Sequence, residues 1–166
     1  MKPSPGTLAF LVLQAVLTGF VWHSAQTLPP VVASHFSASG IANGFMARQA
    51  YVMGFSLLLI GIPLLIAFLP GSLARRSGSH LNIPNRSYWL APERRDTTLS
   101  FISNHGKWFA AVVSLFLCYV HWLVVQANRL QPPTLSSADI LGSLGIFLLA
   151  VVIWLAGLYL RFRKTS

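Results

Sequence analysis

Four apolar runs, each close to the length that crosses a bilayer, constrain this chain more than any other feature: residues 7–23, 51–69, 108–126 and 140–160. A helix needs roughly twenty predominantly apolar residues to cover about 30 Å of hydrocarbon. None of the runs carries Asp, Glu, Lys or Arg in its interior, as the cost of placing charge in hydrocarbon demands. Composition agrees. Of 166 residues, 54% are hydrophobic and only 9% charged, whereas soluble domains carry about a quarter charged residues. The expectation is an all-α membrane protein, one domain of four transmembrane helices in a single bundle.

The first run also has features of a signal peptide, with Lys2 ahead of it and Ala25-Gln26 near its end. Its length, its aromatic exit through Phe20 and Trp22, and the lack of a small-x-small cleavage site favour a retained helix.

The net charge of +9 raises the question of nucleic acid, and its placement answers it. Lys2 precedes the first span; Arg75, Arg76, Arg86, Arg94, Arg95 and Lys107 lie between the second and third; Arg161, Arg163 and Lys164 follow the fourth. The other two connections hold only Arg48 and Arg129. This is the positive-inside asymmetry of a membrane protein, with both termini and the 70–107 loop in the cytoplasm. Cations at that surface suit anionic lipid headgroups. The aromatic-interleaved basic pattern of a nucleic-acid binder is missing, so nucleic acid is not an expected partner.

Segment 24–50 then faces outside. Pro29-Pro30 disfavours helix there, Gly40 and Asn43-Gly44 mark turns, and a short amphipathic piece runs through Phe45, Met46 and Tyr51. In the 70–107 loop, Pro70-Gly71 ends the second helix and residues 91–101 form a separate interfacial helix led by Pro92. Pro63 kinks the second helix, whose Gly54 and Gly61 offer a neighbour a close approach, with ordinary helix packing as the preferred reading. Ser136, Ser137 and Asp139 can cap the last helix.

Few residues carry chemistry. Cys118 is the only cysteine, which excludes an intrachain disulfide and a cysteine zinc cluster. Ser114, Cys118 and His121 share one face of the third span, Gln14 and Thr18 one face of the first, and the two stripes are placed to meet. Hydrogen bonding between helices is the simpler role; a thiol–imidazole nucleophile needs an orienting carboxylate that the sequence does not offer. His23 and His121 fall at similar depths near the outer face. With His35 and Asp139 they form a candidate zinc or copper set. No two of these histidines form a short ligand motif, and the competing role is one loop histidine and two at the lipid–water boundary. On the inner side His80, Glu93, Asp96 and His105 are available, with local pairing of the two acids to Arg94 and Arg95 as the ordinary expectation. Asn85, Arg86, Tyr88 and Trp89 suit a headgroup-binding or partner-binding loop.

Leu28-Pro29, Val32, His35-Phe36, Ser39-Gly40 and Gly44 resemble the pattern of the bacterial membrane family called domain of unknown function 1648. That pattern has a Leu-Pro, a His-Phe or His-Trp, and a following Gly, between two transmembrane helices. The likeness covers about residues 10–65. Some members have a second half like the immunity protein against the sporulation-delaying toxin. To that half Asn82 to Trp89 is loosely similar: Arg86 and Trp89 fit, while the expected Gly and Thr are replaced. The resemblance implies membrane location and an important segment around His35, Phe36, Gly40 and Gly44, and it supplies no reaction. The expected role is a non-enzymatic sensor, immunity-like or accessory protein that binds a protein partner or a second copy, without a resident cofactor. The competing class is an enzyme or carrier with an outer histidine site.

Overall fold

The computed structural model describes residues 4–76 and 81–164. The order of elements is α1 (Pro5–Ser24), a 3-10 turn (Ala25–Thr27), β1 (Val31–Phe36), β2 (Ala42–Ala47), α2 (Arg48–Arg76), a one-turn α3 (Arg86–Trp89), α4 (Pro92–Ala127) and α5 (Ser137–Arg163). Helices α1, α2, α4 and α5 are long and apolar enough to cross a membrane, which marks a multi-pass membrane protein.

Local chemistry sets several helix ends. The Ser4 hydroxyl accepts from Thr7 N–H at 3.3 Å, with Pro5 in the first turn. The Ser136 hydroxyl accepts from Asp139 N–H at 3.2 Å, and the Asp139 carboxylate complements the positive end of α5. The capping expected at α5 is therefore present.

Three expectations about the helices are corrected. Helix α2 does not end at Pro70-Gly71 but continues to Arg76 with Pro63 and Pro70 inside it. Residues 91–101 are not a separate interfacial helix but the start of a 36-residue α4. Gly54 and Gly61 have nothing within 4 Å of where a side chain would begin, so they do not make the close contact. Gly106 and Gly71 do. Pro70 has no N–H to give the Ile66 carbonyl. A Cβ on Gly106 would stand 3.3 Å from that same oxygen, and one on Gly71 would stand 3.4 Å from the Ser103 side chain. A small residue on α4 lets it lie against the carbonyl that the proline leaves without its helical donor.

Helix α4 packs against α1, α2 and α5, most extensively against α2. The buried apolar residues fall into levels. Phe10, Ala67 and Ala110 lie at one end. Leu17, Val21, Leu59 and Cys118 lie in the middle. Ala25, Leu28, Val32, Tyr51, Val52, Val124 and Val125 lie beneath the strands. Helix α5 is different: its one buried residue is Phe162. It is tied to α4 by a stack in which Phe101 and Trp154 flank His105 and Phe109 lies on Trp154. His105 Nε2 donates to the Trp154 carbonyl at 3.0 Å and Trp154 Nε1 donates to the His105 carbonyl at 2.9 Å.

The chain is not all-α. Residues 31–47 form an antiparallel hairpin that pairs Val31 with Ala47, Val32 with Met46, Ala33 with Phe45, His35 with Gly44 and Phe36 with Ala42, with irregularities around His35. Gly40 turns the chain: its N–H donates to the Ser37 carbonyl, and Ser37 N–H to the Ile41 carbonyl, each at 2.9 Å. Its φ of +83° lies in the region that favours glycine, and a Cβ there would collide with the Leu135 carbonyl. Asn43-Gly44 is not a turn; it sits inside β2.

Candidate functional site

The two polar stripes expected on α1 and α4 do meet. Gln14 Nε2 donates to Ser114 Oγ at 3.0 Å, and the Ser114 hydroxyl donates onward to the Ala110 carbonyl at 2.8 Å. Seven residues further along α4, His121 is fully buried between two hydroxyls. Its Nε2 lies 2.8 Å from Ser24 Oγ and its Nδ1 lies 3.0 Å from Tyr51 Oη. Tyr51 and Phe55 flank the ring, and Phe20 meets it edge-on.

The directions of these bonds decide what the group can do. The Ser24 hydroxyl has one proton, which goes to the Phe20 carbonyl at 2.7 Å. For both Ser24 contacts to be hydrogen bonds, the facing Nε2 is the protonated nitrogen and Nδ1 accepts from Tyr51. The result is a one-way chain from Tyr51 through His121 and Ser24 to a backbone carbonyl. A nucleophilic serine needs the reverse, an imidazole nitrogen free to take its proton. The constellation is built as a tie between three helices.

Its placement gives the tie a use. Ser24 ends α1 seven residues before β1, and Tyr51 lies four residues after β2. His121 therefore ties the helix that leads into the hairpin to the helix that leaves it. Asn128, seven residues beyond His121, follows the last turn of α4 and takes hold of the hairpin itself. Its Oδ1 accepts from Ala33 N–H and its Nδ2 donates to the Ala33 carbonyl, both at 2.9 Å, with a further bond to the Val124 carbonyl at 2.9 Å. The side chain takes the place of a neighbouring strand. At the tip, Leu135 N–H donates to the Gly40 carbonyl at 2.8 Å and Ile41 bridges to Thr134. Arg48 Nη1 donates to the Leu28 carbonyl at 3.0 Å across the base.

The hairpin residues singled out in the sequence divide into builders and exposed groups. Gly40 and Gly44 are builders. A Cβ on Gly44 would stand 2.9 Å from His35 Cβ and 3.3 Å from the imidazole, so the histidine lies across a strand position that has no side chain. Phe36 is half-buried and packs on the apolar cluster beneath the strands. The His35 ring is exposed, and it makes no hydrogen bond among the described residues. Val31, Ile41 and Phe45 are 61%, 59% and 58% exposed, so the hairpin holds large apolar side chains in the open.

The proposed metal set is not assembled among the described residues, where no three His, Cys, Asp or Glu side chains come together. His121 has both nitrogens engaged by hydroxyls, whereas His23 and Asp139 are exposed. His80 lies outside the described residues.

At the other end, Asn85 to Trp89 closes the C-terminus of α5. Asn85, at φ 51°, donates through Nδ2 to the Phe162 and Arg163 carbonyls at 3.2 and 3.1 Å. Trp89 is buried and its Nε1 donates to the Phe162 carbonyl at 2.9 Å. These are the carbonyls a helix end leaves without helical donors. The Arg161 guanidinium lies over Trp89, and that of Arg94 lies 4.0 Å from the Tyr88 ring centre. Arg86 starts α3. The expected pairing of Glu93 and Asp96 with Arg94 and Arg95 does not occur among the described residues: Arg94 is on Tyr88, and Arg95 Nη2 donates to the Arg75 carbonyl at 3.4 Å.

Sequence reasoning missed Ser24, Tyr51 and Asn128. A usable signal was present for one of them: Asn128 falls at i+7 from His121, on the same helix face. No family model, no curated protein and no solved structure matches this chain.

Proposed function

We propose that this chain is a non-enzymatic membrane protein that holds its β-hairpin at the outer face of a bacterial cytoplasmic membrane as a rigid docking element for a protein partner. In this reading the four long helices form one bundle with both termini in the cytoplasm, and the chain is a sensor, immunity-like or accessory protein. One observation carries the reading. The hairpin backbone is held along β1 by Asn128 and at the tip by Leu135, and the helices leading into and out of it are tied together by His121, while Val31, Ile41 and Phe45 stay exposed. A segment fixed at several points with apolar side chains outward is suited to docking without a large ordering cost. The likeness of the His35–Gly40–Gly44 pattern to the domain of unknown function 1648 family supports the same segment, because both glycines are needed to build it.

Photocrosslinking in native membranes tests the docking surface. A benzophenone side chain at Phe45 is expected to give a discrete protein adduct, whereas the same probe at Leu57, 73% exposed on α2, gives lipid adducts. An adduct of twice the 18.2 kDa chain mass would mark a second copy as the partner. Identical lipid-only patterns at both positions would sink the reading. Topology is tested separately: a membrane-impermeant maleimide is expected to label Ser39→Cys and not Ser100→Cys in spheroplasts, with the buried Cys118 giving little background.

A further inference from the structure

A second feature lies at the opposite end of the helices. A groove of about 390 Å³ runs between α1 and α4. Along the helices its lining passes from a polar end, which we call its mouth, with Ser4, Asn104 and Lys107, to an apolar stretch with Phe10, Leu13 and Ala111. From Ser4 to Leu13 it rises roughly 13 Å along α1. Trp108, 73% exposed, stands at its side.

Lys107 is the unusual group. It is only 8% exposed, yet its ammonium has a single partner among the described residues, Asn104 Oδ1 at 3.2 Å. A lysine ammonium has three protons to donate. No carboxylate meets it among the described residues, and the nearby Arg75 adds a like charge instead of compensating it. Burying a cation without a counter-charge is costly. The first turn of α1, at the mouth of the groove, adds the positive end of a helix dipole. A polar, cationic mouth over an apolar channel matches an amphiphile with an anionic head and a hydrocarbon tail.

We infer that this groove is a binding site for one anionic phospholipid, whose phosphate meets Lys107 and Asn104 and whose acyl chain lies along Phe10, Leu13 and Ala111. A free anion would satisfy Lys107 but leave the apolar channel unused, so the lipid is the occupant that accounts for both halves. Lys107 then acts as the missing half of an ion pair that the bilayer supplies. The site is independent of the hairpin, because the two lie at opposite ends of α1 and α4.

Native mass spectrometry of the full chain, released from micelles containing equal phosphatidylglycerol and phosphatidylcholine, tests this. One phosphatidylglycerol is expected to be retained per chain in clear preference to phosphatidylcholine. Lys107→Gln is expected to lower that retention about fivefold, the effect of one cation at a lipid surface, and Lys107→Arg to keep it. Ala9→Trp fills the groove from an exposed position with Lys107 in place, and is expected to remove the preference as well. Excess inorganic phosphate is expected to leave the adduct intact. Equal retention of the two lipids by the unaltered chain, wild-type retention in Ala9→Trp, or displacement by phosphate would each overturn the inference.

Discussion

The two ends of the long helices use polar side chains for different purposes. At the hairpin end, Asn128 and His121 reach from α4 to other elements and fix them from inside, so that Val31, Ile41 and Phe45 remain outside. At the opposite end, Asn85 and Trp89 turn inward and close the last carbonyls of α5, with Arg161 laid over the indole. Both stretches look like binding loops in the sequence, because Asn, Arg and aromatic residues mark both. The difference is where the donors go. A loop whose amide and indole donors are engaged by its own helix end has few left for a partner. A loop whose backbone is held by someone else's side chains keeps its own side chains free.

That contrast can be broken most forcefully at the closed end. Trp89→Ala removes a buried ring that touches Phe162 and leaves the Phe162 carbonyl without its indole donor. A loss of about 3–5 kcal/mol in unfolding free energy is expected, the range for a buried aromatic truncation, read by denaturation in mixed micelles. Crosslinking from Phe45 is expected to persist in the fraction that remains folded. If stability is unchanged and crosslinking is lost, the assignment of the two ends is reversed.

Gly40→Ala comes next, at the hairpin tip. The substitution meets both an unfavourable φ of +83° and the Leu135 carbonyl, for an expected cost of about 1–3 kcal/mol. Because the strain is confined to the tip, the same variant is expected to lose the Phe45 adduct while helical circular dichroism stays at the wild-type level. Retained crosslinking would show that the tip is not needed to present Phe45.

The helices were legible and the hairpin was not, for physical reasons. A span is announced by twenty consecutive apolar residues, and all four runs lie inside the helices found. Helix ends were harder. Pro70-Gly71 looks like a break, but Gly71 lies where α2 meets α4, and α2 continues to Arg76. The strands hid because their apolar side chains Val31 and Phe45 are exposed and β2 contains Ala, Asn and Gly, poor strand formers. The polar stripes on α1 and α4 were readable from spacing alone. The meeting of His121 with Ser24 and Tyr51 was not, because each lies on a different helix from His121 and periodicity within one helix carries no such information.

Asn128 separates the holding role from simple packing. Asn128→Ala leaves the Ala33 N–H and carbonyl without their side-chain partner and is expected to cost about 1–2 kcal/mol. Asn128→Asp is the sharper variant. A carboxylate can still accept from Ala33 N–H, but it cannot donate to the Ala33 and Val124 carbonyls. If the two-sided clamp matters, Asp is expected to release the hairpin much as Ala does, seen as faster amide exchange at residues 31–36. If Asp behaves like the wild type, acceptance alone holds the strand.

The smallest effect, and the one that tests the bond directions, belongs to Tyr51→Phe. Hydrogen bonds between helices within a membrane average about 0.6 kcal/mol, so removing the phenol is expected to lower stability by about that amount. The phenyl ring retained beside His121 preserves the packing with Phe55. Ser24→Ala removes the other end of the chain, and His121 Nε2–H then loses its acceptor inside the protein. Because Tyr51 and Ser24 share one imidazole, their effects are not expected to add: groups in one hydrogen-bonded network couple. The double variant should cost measurably more or less than the sum of the two single changes. Strict additivity would mean that the two hydroxyls act on His121 independently, and that the one-way chain contributes nothing beyond its separate bonds.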